Sequence, residues 1–255
     1  MKPSDLEVAK LDSFNFRKAQ GLSTAEPLNL ESLLLHLNIL TVFLPLKKMS
    51  GMAIKIDAEN QTRRFILVNS NHTLGRQHFT ICHELYHLFV QKNFQFKVCD
   101  KPMFDKKDMD EYRADLFASY LLIPEDALRS MSLNEDFDVE NTLKLRSHIL
   151  KMEQYFGCSR QSLLYRLSQM GYSELKKDTP LHKDLSKNIS LQAQQYGYDL
   201  SLYKSANKNK VIGDYGDLAK SLYDKEQISE SNFASLMEQI FVNIYTPQTD
   251  EPEND

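Results

Sequence analysis

Residues 83–87 read His-Glu-Leu-Tyr-His, a match to the H-E-x-x-H pattern that constrains this chain more than any other feature. On an α-helix, residues four apart lie nearly above one another, about 6 Å apart along the axis. His83 and His87 can then bind one Zn²⁺ ion through ring nitrogens at about 2.0–2.1 Å. Glu84, turned by about 100° from His83, can act on a water molecule as general base. The pattern therefore predicts a catalytic zinc site.

Two apolar stripes around this pattern indicate a buried helix. One contains Phe79, Cys82, Tyr86 and Phe89, and the other contains Ile81, Leu85 and Leu88. A helix that is apolar on most of its surface lies in a core. Buried histidines need polar partners, because an unpaired buried polar group is costly. Bonds to backbone groups in an ordinary core are the alternative to a metal. We expect Cys82 to be a small core residue.

A second predicted helix, over residues 108–123, supplies carboxylates. Its first turn is acidic, which is favourable against the helix dipole, and Pro124 ends it. Glu111 and Asp115 lie four residues apart on one face, beside an apolar face. Glu111 would complete a His₂Glu zinc site as the third ligand. Asp115 would accept a hydrogen bond from a liganding histidine. The alternative is an acidic pair that faces solvent.

Shorter patterns predict a small β-sheet ahead of the H-E-x-x-H helix. Residues 30–37 have apolar side chains at helical spacing, and residues 39–44 are rich in β-branched and aromatic types. Two apolar runs, 52–56 and 65–68, flank a polar stretch and are typical of a hairpin with a long loop. The fold class is therefore α+β. We expect a zincin-like domain with a small β-sheet, the H-E-x-x-H helix and the glutamate-bearing helix.

Composition divides the chain into five segments. They are an N-terminal polar segment (1–26), the zincin-like domain (27–138), a helix-turn-helix-like helical segment (139–171), a C-terminal helical region of unknown role (172–245) and a disordered acidic tail (246–255). Three stretches without clear periodicity are predicted as irregular. They are loops over 91–107 and 125–138 and a mobile linker over 172–209. Two short amphipathic helices follow, over 214–224 and 229–241.

Two helices joined by Gly157-Cys158-Ser159 give the segment 139–171 its helix-turn-helix character. On the second helix, five polar side chains could face a DNA major groove: Arg160, Gln161, Tyr165, Arg166 and Gln169. The alternative, which we favour, is a helical hairpin packed on the catalytic domain. No run of basic residues supports strong phosphate binding, so direct nucleic-acid binding is possible but not favoured.

Composition also bounds the compartment and the partners. The net charge is −4 at pH 7, which gives no global attraction to nucleic acid or to an anionic membrane. Three scattered cysteines without a C-x-x-C pair argue against a disulfide framework and suit a reducing compartment. The N-terminus has no apolar signal core, and the most apolar stretch, residues 30–46, is interrupted by polar residues. We expect a cytoplasmic protein without membrane contact.

Three motifs in order resemble the ImmA/IrrE family of H-E-x-x-H zinc metallo-endopeptidases. Residues 76–87 are similar to R-x-x-F-T-x-x-H-E-x-x-H, and residues 111–124 to E-x-x-A-[ND]-x-F-A-x-x-L-L-[ML]-P. The helix pair with Phe156-Gly157-Cys158-Ser159 and Tyr165-Arg166-Leu167 extends the likeness, which covers residues 28–170. Tyr86 departs from the pattern, since it replaces the glycine common before the second histidine.

The resemblance implies zinc bound by His83, His87 and Glu111, with Glu84 as the catalytic residue. It also implies an intracellular metallo-endopeptidase whose protein substrate is a DNA-binding, helix-turn-helix transcriptional repressor, so that cleavage relieves repression. Two other hypotheses stay open. One is a regulatory DNA- or repressor-binding module with a vestigial metal site, and the other is the toxin half of a toxin–antitoxin pair. Tyr86, Tyr112 and His148 are available as oxyanion donors, and the sequence does not choose among them.

Overall fold

A computed structural model describes residues 4–58, 61–92, 94, 96–99, 103–133, 137–205 and 208–241. The strands are β1 (Ile39–Leu44), β2 (Gly51–Ala58), β3 (Gln61–Asn69), β4 (Phe96–Cys99) and β5 (Lys210–Ile212). The helices are α1 (Asp5–Ala19), α2 (Leu30–His36), α3 (Leu74–Phe89), α4 (Met109–Leu122), α5 (Glu125–Ser132), α6 (Thr142–Phe156), α7 (Arg160–Gln169), α8 (Pro180–Leu185), α9 (Ile189–Gln195), α10 (Tyr215–Asp224) and α11 (Glu230–Phe241). The predicted acidic tail, residues 246–255, lies outside the described residues.

The strands form one five-stranded sheet in the order β4-β2-β3-β1-β5. β1 and β3 are parallel, and the other pairs are antiparallel. The predicted hairpin is present as β2 and β3, but the prediction of a long loop between them is wrong. The polar stretch continues both strands as far as Ala58, which lies opposite Gln61, and Asp57 lies opposite Thr62. The Thr62 hydroxyl donates to the Asp57 carboxylate at 2.7 Å, so a cross-strand polar pair extends the ladder.

The core lies between this sheet and the helices α3 and α4. Ala53, Ile66 and Val68 of the sheet are fully buried, and α3 packs on the two strands that carry them. α4 packs on α3, and both helices are apolar on most of their surface. The two helices that carry the candidate site are therefore held side by side in the core. The α+β class is confirmed.

The N-terminal polar segment contains α1, which packs along α4. Arg17 is buried, and its guanidinium donates to the Leu121 carbonyl at 3.1 and 2.6 Å and to the Glu26 carbonyl at 3.1 Å. Burial lowers the pKa of Arg17 to about 10. Phe16 meets the Phe117 ring of α4 edge to face, with ring centroids 5.8 Å apart. One buried cation thus ties α1 to the C-terminal end of α4.

Two predicted loops contain regular structure. Within residues 91–107, the short strand β4 pairs antiparallel with β2. Within 125–138, α5 begins directly after Pro124, with Glu125 and Asp126 in its first turn. The proline that ends α4 is also the residue before α5, and the acidic first turn suits the helix dipole. Composition suggested loops because both elements are short and lie in stretches without clear periodicity.

The predicted mobile linker over 172–209 is wrong. It contains a 3₁₀ turn (Ser173–Leu175) and the helices α8 and α9. Four of its apolar residues are buried, namely Leu175, Leu185, Ala193 and Leu202, whereas Leu191 and Tyr196 are exposed. β5 then adds to the free edge of β1. These four side chains hold the segment in place because each one is buried against the rest of the protein. The two later helices, α10 and α11, agree with prediction.

The predicted helix pair is present as α6 and α7. Gly157 ends α6 in the left-handed conformation (φ 60°), and the Ser159 side chain caps α7 by accepting from the Ser162 amide. Arg160 and Arg166, however, are buried rather than displayed for a DNA groove. The Arg166 guanidinium lies 3.6 Å from the Tyr120 ring centroid. This finding corrects the groove-facing assignment for both arginines and supports the helical-hairpin alternative.

Arg160 forms a buried ion pair with Glu153 of α6. Its Nε donates to one carboxylate oxygen, its Nη2 donates to the other at 3.1 Å, and Nη1 donates to the Leu185 carbonyl. The Tyr203 hydroxyl also donates to Glu153, at 2.9 Å. The pair therefore joins α6 and α7 to the C-terminal region. Within the described ranges, no helix is both long enough and apolar enough to span a membrane.

Glu153→Gln is expected to lower the free energy of unfolding by about 3 kcal/mol, because it leaves the Arg160 charge buried without its counter-ion. The double variant Glu153→Leu with Arg160→Met should recover most of that loss. Asp224→Asn, which breaks an exposed ion pair with Lys220, is the matched control and should change stability by about 0.5 kcal/mol or less. Urea unfolding measures all three. Equal losses in Glu153→Gln and Asp224→Asn would contradict the structural role of the buried pair.

Candidate metal centre

Helix α3 is fixed in place at its N-terminal end by the turn between α6 and α7. A Cβ at Gly75 would lie 2.8 Å from the Ser159 nitrogen and 2.9 Å from the Cys158 carbonyl carbon, so only glycine fits. One turn on, the His78 ring donates from Nδ1 to the Gly157 carbonyl at 2.8 Å. These contacts set the position of the helix that carries His83, Glu84 and His87.

The three predicted ligands come together between α3 and α4. The Nε2 atoms of His83 and His87 are 3.1 Å apart. Glu111 places one carboxylate oxygen 3.2 Å from His83 Nε2 and the other 3.5 Å from His87 Nε2. All three side chains are buried. The sequence-predicted residues thus form one compact donor set, as in a zincin-like domain.

The spacing of these donors fits one tetrahedral metal ion. Ligand atoms about 2.0–2.1 Å from a common centre at tetrahedral angles are about 3.3 Å apart. The two nitrogens are 3.1 Å apart, and each has a different Glu111 oxygen at 3.2 or 3.5 Å, all close to that value. Two imidazole nitrogens and a carboxylate are also a donor set that zinc commonly accepts. In the part of the chain that the structure describes, His83, His87 and Glu111 form the group able to hold a metal ion.

Asp115 fixes the orientation of the first histidine. Its Oδ1 accepts from His83 Nδ1 at 2.8 Å, and its Oδ2 accepts from the backbone amide of Phe104. With the proton on Nδ1, the Nε2 lone pair of His83 points towards the other donors. The sequence predicted an Asp115–histidine hydrogen bond of this kind. The structure assigns it to His83.

Gln91 fixes the orientation of the second histidine, His87, as Asp115 fixes that of His83. Its side-chain oxygen accepts from His87 Nδ1 at 2.5 Å, which leaves His87 Nε2 free to act as a donor to a metal. The amide nitrogen of Gln91 in turn donates to Asp110 at 3.5 Å. Sequence analysis missed Gln91 and placed it in a loop. The available signal was its position four residues after His87, one helical turn on.

Glu84 lies against the first residue of β2. It is fully buried, and a Cβ built at Gly51 would be 3.1 Å from Glu84 Oε1 and 2.4 Å from Thr80 Cγ2. Gly51 therefore leaves the space that the Glu84 carboxylate occupies. Sequence analysis did not single out Gly51, because the requirement comes from a contact between distant parts of the chain.

Burial also sets the protonation of the neighbouring groups. It lowers the pKa of His87, against the raising effect of the hydrogen bond to Glu111, so the neutral imidazole that metals bind is favoured. It raises the pKa of the Cys82 thiol to about 12, so Cys82 stays protonated at neutral pH. Cys82 has no exposed surface, which confirms the expectation of a core residue.

The three candidate oxyanion donors differ in their surroundings. His148 donates from Nε2 to the Met131 carbonyl at 2.9 Å and packs against Phe137, so its ring has a structural role on α6. Tyr86 is buried, with its ring 5.6 Å from both the His87 and the Phe117 ring centroids. Tyr112 is partly buried on α4, with the Lys106 ammonium over its ring.

Comparison with known families agrees with this geometry. The model described as the IrrE N-terminal-like domain, peptidase M78, matches residues 35–168, more than half of the chain. The chain belongs to this family. Metallopeptidase ImmA of Bacillus subtilis (strain 168) is 33% identical over 109 residues, which cover 41% of this chain and 57% of that protein. The match to the M78 family includes every residue of the donor set, and residues 169–255 lie beyond it.

Asp115→Ala and Gln91→Ala should each weaken zinc binding by about ten- to hundredfold, because each removes the acceptor that orients one of the two imidazoles. Asp126→Ala, at an exposed aspartate in the first turn of α5, is the matched control and should bind zinc as the unaltered chain does. Competition with a chelating fluorescent indicator measures the affinities. Unchanged affinity in both variants would contradict the role assigned to these two acceptors.

Proposed function

We propose that this chain is a zinc-dependent metallo-endopeptidase. Its ligands are His83, His87 and Glu111, and Glu84 is the catalytic general base. The observation that carries the proposal is the convergence of three buried donors at separations that suit one tetrahedral ion, with a buried glutamate next to them in sequence. The family membership and the name of the Bacillus subtilis relative, a metallopeptidase, support it.

Zinc is the metal we propose because of the donor chemistry. Two imidazoles with one carboxylate, leaving a fourth position open, are typical of catalytic zinc sites, whereas magnesium and calcium prefer oxygen donors alone. Sulfur donors are not part of this set, since the described side chains that converge here are His83, His87 and Glu111. Bound in this position, zinc would polarise the scissile carbonyl and make a water molecule more acidic.

Four side chains have the other roles in the proposed reaction, one in proton transfer and three in positioning the ligands. Glu84 takes a proton from the attacking water and later gives it to the leaving amine nitrogen. Asp115 and Gln91 hold the two imidazoles in one tautomer and one orientation through their bonds to Nδ1. The Asp108 side chain accepts from the Glu111 amide at 3.3 Å, which fixes the first turn of α4 and with it the third ligand.

We further propose a cytoplasmic protein substrate, a DNA-binding transcriptional repressor of the helix-turn-helix type, whose cleavage relieves repression. The resemblance of the three motifs to the ImmA/IrrE family motivates this substrate. Two of the five side chains that would have read a DNA groove, Arg160 and Arg166, are buried in this chain. That burial favours action on a DNA-binding protein over direct action on DNA.

Glu84→Gln should lower the rate of peptide-bond cleavage by about 10²–10⁴-fold while zinc still binds at one ion per chain. The reason is that the amide cannot accept the proton, although the three ligands are intact. Glu140→Gln, an exposed residue before α6, is the matched control and should cleave at the unaltered rate. New polypeptide N-termini, identified by mass spectrometry in a cell extract treated with each protein, measure cleavage. Native mass spectrometry measures the bound zinc.

Three results would overturn the proposal in different ways. Failure of both forms to bind zinc would remove the metal site. Cleavage that persists in Glu84→Gln would remove the assigned base. Cleavage that depends on Glu84 and zinc but spares every DNA-binding protein would keep the peptidase and remove the repressor as its substrate.

A further inference from the structure

The candidate metal centre opens towards two adjoining cavities. A small space beside the first ligand is lined by His83 and Asp115 together with Arg76 and Met103. Arg76 and Met103 also line a cavity of about 510 Å³, and Met103 lines a second cavity of about 570 Å³. The two larger cavities share five lining residues, namely Met103, Arg160, Gln161, Ser186 and Ile189. We call these two cavities together the flanking cleft.

Part of the wall of the flanking cleft comes from the C-terminal region that the family match does not cover. Ser186 and Ile189 at the α8–α9 junction form one wall. The other wall, near residues 71–76, is held to residues 202–205 by backbone contacts. The Gly75 amide donates to the Leu202 carbonyl at 3.3 Å, and Thr73 pairs with Ser205. The region first expected to be a mobile linker thus builds a surface beside the metal centre.

The charge of this surface is one-sided. Among the described residues that line the two cavities, none is aspartate or glutamate. Arg76 and Lys177 contribute positive charge, whereas Arg160 is neutralised by its buried pair with Glu153. Arg76 donates to the Ser50 hydroxyl at 3.0 Å, and the ion pairs among the residues that the structure describes do not include Arg76. The chain as a whole has a net charge of −4, so a lining without carboxylates is a local departure.

The remaining lining is apolar or neutral. Met103, Phe104, Ile189 and Leu202 supply apolar surface along the cleft. Burial lowers the pKa values of His72 and His182, so both are neutral hydrogen-bonding groups at neutral pH. A surface that is mostly apolar and has few cations suits a polypeptide, because a polypeptide carries both apolar and charged side chains. A duplex nucleic acid is bound mainly by many phosphate contacts, which two cations do not supply.

We propose that the flanking cleft binds an acidic segment of the polypeptide substrate, with Arg76 and Lys177 recognising its carboxylates. This inference rests on the proposed peptidase function and names the substrate chemistry that the same site selects. Arg76 also lines the small space beside His83, whereas Lys177 lines the cavity of about 570 Å³, so the acidic segment would extend from the cleavage position into that cavity. Charge complementarity of this kind sets specificity and the rate of association.

Binding is tested in the full-length Glu84→Gln chain, where cleavage does not interfere. The probe is a fluorescein-labelled peptide of alternating glutamate and alanine, measured by fluorescence anisotropy. A glutamine–alanine peptide of equal length should bind about tenfold more weakly, and raising the salt from about 0.1 to 0.5 M should weaken the glutamate peptide. Lys177→Glu should weaken it by about three- to tenfold. Arg76→Gln should also weaken it.

Lys176→Glu is the matched control. Lys176 is the exposed neighbour of Lys177, lies outside both cavities and carries the same charge change. It should change the affinity by about twofold or less. Equal losses in the two lysine variants would overturn the inference, because the effect would then be one of general charge. So would equal affinity for the glutamate and glutamine peptides.

A labelled duplex DNA serves as the competing ligand. If it binds more tightly than the glutamate peptide and with the same dependence on Lys177, the cleft is a nucleic-acid site and the inference is wrong. The experiments distinguish failure of the peptide-binding inference from failure of the peptidase proposal. Peptide binding in Glu84→Gln needs no cleavage, and cleavage by the unaltered chain can occur without any preference for acidic segments.

Discussion

Two imidazoles and a carboxylate are held in the core of this protein at mutual distances of 3.1–3.5 Å, and the rest of the structure makes that arrangement possible. Burying such groups is unfavourable unless polar partners are supplied. Asp115 and Gln91 satisfy the outer nitrogens of the two histidines. The sheet and α4 enclose α3 between apolar surfaces, which fixes the donors without flexible loops. A site held by buried helices in this way is preorganised for a metal ion.

The support for this core extends well outside the segment that carries the motif. Arg17 ties α1 to the end of α4, and the close contact at Gly75 ties the start of α3 to the α6–α7 turn. The buried Glu153–Arg160 pair then joins that turn to the C-terminal region. Segments that differ in composition therefore pack against one another through these contacts. The same continuity lets the α8–α9 junction line the two cavities that adjoin the candidate metal centre.

Local sequence predicted the elements whose signal is local. The H-E-x-x-H helix, the acidic start of α4 and the Gly157 end of α6 follow from spacing, dipole and capping rules, and the structure agrees. Glu111 and Asp115 could be found because they lie one turn apart on one predicted helix. β4 and β5 were missed because short strands at sheet edges depend on a partner strand that is distant in sequence. Gly51 was missed for the same reason, since its constraint is the Glu84 carboxylate across the core.

Charge patterns also suggested a DNA-facing role, which we did not favour, for two arginines whose charges are buried. Arg160 and Arg166 look like groove-reading residues on a helix surface, yet one is paired with Glu153 and the other lies under Tyr120. The ion-pair partner of Arg160 is Glu153, seven residues earlier, and no local sequence pattern indicates that Glu153 is buried. The linker over 172–209 failed likewise, because its four buried apolar residues are spaced without a period.

The most direct test of the central claim is an anomalous diffraction map at the zinc absorption edge, from crystals of the zinc-loaded chain. The account predicts a single strong peak between α3 and α4, about 2.0–2.2 Å from His83 Nε2, His87 Nε2 and the nearest Glu111 oxygen. A fully loaded protein whose zinc peak lies elsewhere, with these three side chains left without an ion, would contradict it.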